Sequence, residues 1–156
     1  MPMVSAETVV DLDPQQAFAV SQSTGEVRLR WDPFVRRQHF LDGATAPDKG
    51  VRTLTVHRWG ARMVSEYVSY APPRNVGMRM VTGPWFFRTM AGGWRFEQAE
   101  AGRTRAMWKY NFTCQPAWLA PLAERIGTWV LGREIRRRIE GFAAGCADPE
   151  VLAAVH

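Results

Sequence analysis

Leu119-Ala-Pro-Leu-Ala-Glu-Arg-Ile-Gly-Thr-Trp-Val-Leu-Gly-Arg-Glu-Ile-Arg-Arg-Arg-Ile-Glu-Gly-Phe-Ala-Ala-Gly-Cys146 is an unbroken helix-forming tract that arrives only after a long run of alternating, strand-like sequence. An amphipathic helix that follows a series of hairpins lies across the concave face of a curved sheet, because both elements then bury their apolar sides. Such a grip leaves room for a cavity between helix and sheet. The tract carries two apolar stripes. Leu119, Leu122, Ile126 and Val130 form one; Leu131, Ile135, Ile139, Phe142 and Cys146 form another, rotated by more than a quarter turn at about 100° per residue. One straight helix does not bury both in one narrow seam, so Gly127 and Gly132 at the changeover predict a kink or a division of labour. The second stripe is assigned to the core. The first, with Trp129, is assigned to a cavity or its mouth.

Upstream, Asp42-Gly43 through Asp48-Lys49-Gly50, then Gly60-Ala61, Pro72-Pro73, Thr82-Gly83-Pro84 and Ala101-Gly102 separate strand-length runs, the spacing of an antiparallel meander. Period-two sorting gives one dry face made of Leu54 and Val56, of Val64, Val68 and Tyr70, of Val76, Met78 and Met80, of Met90, Trp94 and Phe96, and of Trp108, Tyr110 and Phe112. The opposite parity carries Thr53, Thr55, His57, Arg79, Arg95, Glu97, Arg105 and Lys109, a wet face. Gly92-Gly93, in mid-strand, predicts a bulge or strong bend. At the start of the chain Glu7 to Leu12 alternates as a first strand, and Asp13-Pro14 supplies an N-cap and N1 proline to a short helix over Gln15 to Ser23. Trp31-Asp32-Pro33 then opens an extended path into a second strand, Val35 to Leu41. The expected fold class is α+β: a curved antiparallel sheet of about six or seven strands gripping a long C-terminal helix, with short helices after the first strand. Residues 1–156 read as a single domain.

Composition narrows the function classes. At 156 residues and 46% apolar content the chain can bury one sizeable core. No stretch approaches the roughly 20 apolar residues of a membrane span, and Met1-Pro2-Met3-Val4-Ser5 lacks the basic-then-apolar layout of a signal peptide. A cytoplasmic location is expected. Cys114 and Cys146 stand alone and are expected to be reduced packing residues. His39, His57 and His156 have no metal-triad spacing, and no strand, glycine-rich turn and helix unit forms a phosphate loop, so neither a metal nor a cofactor is expected. The net charge is +5 and nearly all the basic residues are arginine, spread along the strands as on a solvated face. The one cluster is Arg133, Arg136, Arg137 and Arg138: either a solvated helix face or a contact for an anionic partner, acidic lipid or nucleic acid, with nucleic acid the less expected.

The order of strand, short helix, Trp-Asp-Pro connector, meander and long closing helix resembles the START-like helix-grip superfamily, also called SRPBCC. The matching pieces are Val9 to Phe18, Trp31-Asp32-Pro33-Phe34-Val35, Ser65-Glu66-Tyr67-Val68-Ser69-Tyr70-Ala71-Pro72-Pro73, and Trp108 ahead of the final helix. They are similar to its polyketide cyclase/dehydrase and lipid-transport branch. The resemblance covers almost the whole chain and implies a deep apolar pocket, which members use for sterols, phospholipids, quinones, plant hormones or polyketide chains. Some members cyclise polyketides and many only bind. No catalytic set of the family matches here residue by residue.

Glu66 shares parity with Val64, Val68 and Tyr70, which would bury its carboxylate, raise its pKa and suit it to acid/base work; an ion pair with a nearby arginine is the alternative. Arg58, on the parity of Leu54 and Val56, could meet Glu66, orient an acidic head group, or simply lie exposed at a strand end. Tyr70 and Tyr110 offer hydroxyls in an apolar surface, to a ligand oxygen or to a backbone carbonyl. Met78, Met80, Met90, Trp94 and Trp108 could line a pocket or fill an ordinary core, and Trp31, Leu122, Ile126 and Trp129 join the candidate lining. Trp85-Phe86-Phe87 beside a turn could be a lid, a transient membrane contact, or burial against the helix. The leading expectation is sequestration or delivery of a hydrophobic small molecule or lipid-like ligand. The competing classes are a polyketide cyclase or aromatase-like enzyme using Glu66 and Arg58, and an interaction module using the Arg133 to Arg138 face.

Overall fold

The structure, a computed structural model, describes residues 2–155; Met1 and His156 lie outside them. The chain runs β1 (Met3–Val10), α1 (Pro14–Ser21), α2 (Gly25–Trp31), β2 (Val35–Phe40), β3 (Arg52–His57), β4 (Arg62–Ala71), β5 (Asn75–Thr82), β6 (Phe87–Glu100), β7 (Arg103–Cys114), α3 (Ala120–Gly145) and α4 (Pro149–Val155). All seven strands form one antiparallel sheet in the order β1-β7-β6-β5-β4-β3-β2. The α+β helix-grip architecture is as the sequence implies. β1 begins earlier than its alternation suggests because it pairs along the full inner edge of β7, from Met3 opposite Asn111 to Val10 opposite Thr104.

Local chemistry sets the early elements. Asp13 caps α1, accepting from the Gln16 amide at 2.8 Å while the Gln16 side chain accepts from the Asp13 amide, a reciprocal capping box. The Trp-Asp-Pro segment is more than a connector. It follows a short helix, α2, whose Trp31 is buried edge-on against Phe142 with ring centroids 5.6 Å apart and whose indole N–H donates to Ser23 Oγ. Asp32 then leaves the helix with extended geometry, as a residue before proline must.

The core lies between the centre of the sheet and the C-terminal half of α3. Trp94 stacks on Trp108 at 4.1 Å and on Phe96 at 5.5 Å, and Phe142 packs against Trp94 at 4.7 Å. Ile135 and Phe142 are wholly buried, and Leu131 and Ile139 nearly so, each side chain contributing roughly 1.5–3 kcal/mol. Helix α3 is a single unbroken element of 26 residues. Its glycines serve close packing: a Cβ on Gly127 would sit 2.8 Å from the Phe112 ring, and one on Gly141 only 2.1 Å from the Trp31 carbonyl oxygen. Gly92 and Gly93 stay in register with Tyr110 and Lys109, so they form no bulge. They allow close approach, since a Cβ on Gly93 would meet the Val76 carbonyl oxygen at 2.2 Å.

Two strands depart from the expected faces. On β3, Thr53, Thr55 and His57 point to the concave side. β4 slips register between Val64 and Ser65 and again between Tyr67 and Ser69. The first places its extra residue, Val81, on β5 and leaves the β4 parity unchanged; the second places Val68 as the extra residue on β4 and reverses it. Met63, Ser65 and Tyr67 therefore face the concave side, while Tyr70, beyond the second slip, packs edge-on against Phe18 and Tyr67.

Candidate functional site

A cavity of about 620 Å³ lies between the curved sheet, the α1–α2 segment and the N-terminal half of α3. That volume is ample for a drug-sized ligand. Its two sheet walls differ in chemistry. β5, β6 and β7 contribute Met78, Met80, Met90, Trp94 and Trp108, while β2, β3 and β4 contribute Gln38, Thr53, Thr55, His57 and Ser65. Ile126, Gly127, Val130 and Leu131 of α3 close the space from the helix side. Gln38 donates to Thr55 Oγ1 at 3.0 Å. Gln38 Oε1 and Thr53 Oγ1 are buried on this polar wall without a protein hydrogen-bond partner.

A buried ionic network forms one end of the cavity. Asp32, inaccessible to solvent, receives Arg28 Nε at 2.9 Å and Arg138 Nε and Nη2 at 3.0 and 2.7 Å. Arg28 also caps the end of α1 by donating to the Ser21 carbonyl, and its guanidinium lies over the Trp31 ring. Arg138 donates to the Tyr110 hydroxyl and lies 4.0 Å from the Trp108 ring centroid. Burial alone would raise the Asp32 pKa, but the charges of Arg138 and Arg28 outweigh it and hold it down at about 2. Burial pushes the Tyr110 hydroxyl up to about 12, and Tyr67, which donates to Gln22, likewise. Both phenols stay protonated, and Tyr67, Tyr110, Arg28 and Arg138 all border the cavity.

Beside this network, with the Phe34 ring packed against both Arg138 and His57, His57 bridges sheet and helix. Its Nδ1 accepts the Trp59 amide hydrogen at 3.0 Å, which leaves Nε2 protonated to donate to Glu134 Oε1 at 3.1 Å. Both residues border the cavity. Among the described residues no cluster of His, Cys, Asp and Glu is arranged to hold a metal ion, and both cysteines are free and buried.

Of the residues singled out in the sequence, Met78, Met80, Phe86, Met90, Trp94, Trp108, Tyr110 and Ile126 border the cavity. Trp31 and Tyr70 instead pack in the aromatic core, and Trp85, Leu122 and Trp129 lie exposed outside the lining. Glu66 and Arg58 are displaced from their expected roles. Glu66 is on the outer face, bound by Arg79 at 2.9 Å and Arg52 at 3.4 Å, because the β4 register slip turns its parity outward. The Arg79 hydrogen bond lowers its pKa, the reverse of what burial would do. Arg58 lies exposed in the β3–β4 turn and reaches neither Glu66 nor the cavity. Sequence reading placed Arg138 in a surface cluster and set His57 on a wet face. The missed signal was the spacing of Leu131, Ile135, Arg138 and Phe142, which puts an arginine on the buried stripe of α3. His57, Glu134 and Asp32 had no local signal, since their partners come from distant elements.

The family model for polyketide cyclase / dehydrase and lipid transport matches residues 1–146. No curated protein matches the chain. Among solved structures, a protein of Thermus thermophilus superposes with a TM-score of 0.76 at 16% identity, covering 99% of this chain and 100% of its own. The Zhui aromatase/cyclase of Streptomyces sp. R1128 gives 0.75 at 17% identity, covering 94% and 93%. A START superfamily protein of Mycobacterium smegmatis gives 0.73 at 10%, covering 93% and 97%. At these identities the likeness is one of fold.

Proposed function

Since the chain belongs to the polyketide cyclase / dehydrase and lipid transport family, we propose that it sequesters or delivers a hydrophobic small molecule held between sheet and C-terminal helix. The observation that carries this reading is the 620 Å³ cavity with a methionine- and tryptophan-rich wall. Methionine adapts to irregular apolar shapes, and the indoles supply rigid contact area. The opposite wall, with Thr55, His57 and Ser65, gives the ligand a polar edge and favours one that brings a hydroxyl or amide of its own. Trp94, Trp108 and Met90 are the residues expected to carry most of the contact.

A second reading has one observation in its favour. The Glu134 carboxylate, oriented by His57, is the acidic group that borders the cavity, and it takes the acid/base role that Glu66 and Arg58 do not fill. An aromatase/cyclase is among the similar folds.

Native mass spectrometry of the chain purified from its own host, followed by extraction, tests both readings. The expected result is a retained apolar molecule that is absent from a Met90→Trp variant of unchanged fold. An empty wild-type chain that takes up no apolar probe would refute the binding reading. Conversion of the extracted molecule by wild type, but not by Glu134→Gln, would favour the enzyme.

A further inference from the structure

In an antiparallel meander alternate turns share an end of the sheet. The β3–β4 turn, the β5–β6 loop and the segment leading into α3 all lie at the end where the cavity opens, and each carries exposed indole. Trp59 is 86% exposed, Trp85 71%, Trp118 81% and, on α3, Trp129 63%. Leu122 and Ile126 precede Trp129 on the same exposed helical face. The ring is stitched together. His57 ties the turn bearing Trp59 to α3 through Glu134, and the Gln115 amide donates to the Phe86 carbonyl at 2.9 Å, joining loop to helix lead-in. Trp59, Phe86 and Ile126 also border the cavity, so this apolar rim is its mouth.

Charge at this end has one sign. Arg58, Arg62, Arg88, Arg125 and Arg133 are exposed and, among the described residues, take part in no ion pair; the Arg133 guanidinium lies 5.1 Å from the Trp129 ring centroid. The acids of the same helix half are turned inward, with Glu124 accepting the Cys114 amide hydrogen and Glu134 paired with His57. Exposed Asp11, Asp42 and Glu100 lie at the far end of the sheet.

We propose that this rim docks on an anionic phospholipid bilayer, resting on the reading of the cavity as a ligand site. Indoles settle in the headgroup layer with the ring apolar and the N–H wet, and the arginines between them meet lipid phosphates. A fluid surface conforms to a ring with a hole at its centre, which a rigid protein partner would leave unfilled. No described helix is long and apolar enough to cross a bilayer, and the contact needs only the interface. Docked in this way, the mouth opens onto the acyl region, and an apolar ligand passes between bilayer and cavity without entering water.

The test is co-sedimentation of the full chain with vesicles of phosphatidylcholine alone and of phosphatidylcholine mixed with phosphatidylserine, at low and high salt. Binding is expected to the mixed vesicles, with a blue shift of tryptophan emission, and to weaken with salt. Arg125→Glu/Arg133→Glu should reduce it by about tenfold or more, and Trp85→Ala/Trp129→Ala by a similar factor, with far-ultraviolet circular dichroism unchanged. No vesicle binding, binding indifferent to phosphatidylserine, or double variants that sediment like wild type would each overturn the proposal; a face that ignores vesicles would then be one for a protein. Uptake of neutral N-phenyl-1-naphthylamine without vesicles separates the two readings. Uptake without vesicle binding sinks docking and leaves the cavity reading standing; vesicle binding without uptake does the opposite.

Discussion

Asp32 and Arg138 show how far a residue's role can depend on its partners. In sequence, Arg138 is the last of an arginine cluster. In the fold it is buried and shares one carboxylate with Arg28. Such a network is weak evidence for net stability against an apolar replacement, yet removing one member strands the others. Arg138→Met should cost roughly 3–5 kcal/mol, read by urea denaturation; a variant as stable as wild type would show the network to be dispensable. The pH dependence follows from the Asp32 carboxyl, whose pKa is held at about 2 in the fold against an ordinary 3.8. Folding favours its charged form, so its contribution is complete above about pH 4 and is lost as pH falls from there toward 2, on the order of 2 kcal/mol in all. In Arg138→Met that acid limb should flatten, because the folded and unfolded carboxyl groups then titrate closer together.

At the scale of elements, α3 has two jobs within one continuous helix. Its second half is core and its first half borders the cavity mouth, with Leu122 and Ile126 each 56% exposed. Ile135→Ala should therefore cost about 2–5 kcal/mol, whereas Leu122→Ala should fall within about 0.5 kcal/mol of wild type, both measured by equilibrium unfolding. Equal losses at the two positions would mean that the halves are not distinct. This division was legible in the two apolar stripes. The kink considered at Gly127 and Gly132 is not needed, because the stripes face different surroundings. Strand β4 was misread for a different reason: period two holds only while pairing stays in register, and its two slips arise from how it meets β5.

For the molecule as a whole, a cavity this large beside the core means that the empty fold forgoes packing which a ligand can restore. An apolar ligand that binds only the folded chain should stabilise it by about 2.7 kcal/mol at a hundredfold excess over its Kd, so that the midpoint of thermal unfolding rises with ligand concentration. A flat response to every apolar probe that fits the volume would count against a ligand site. The sequence by itself determined the strand order, the capped start of α1, the long closing helix with its split, and the apolar β5–β7 wall, because these follow from period, turn chemistry and spacing within single elements; the short helices α2 and α4 carry no such signal. Only the tertiary structure decided that Glu66 faces outward, that Arg138, Asp32 and Arg28 form a buried network, that His57 meets Glu134, and that Trp59, Trp85, Trp118 and Trp129 are left exposed. Those facts depend on strand register and on contacts between residues far apart in the chain, such as Asp32 with Arg138, and no local pattern encodes them.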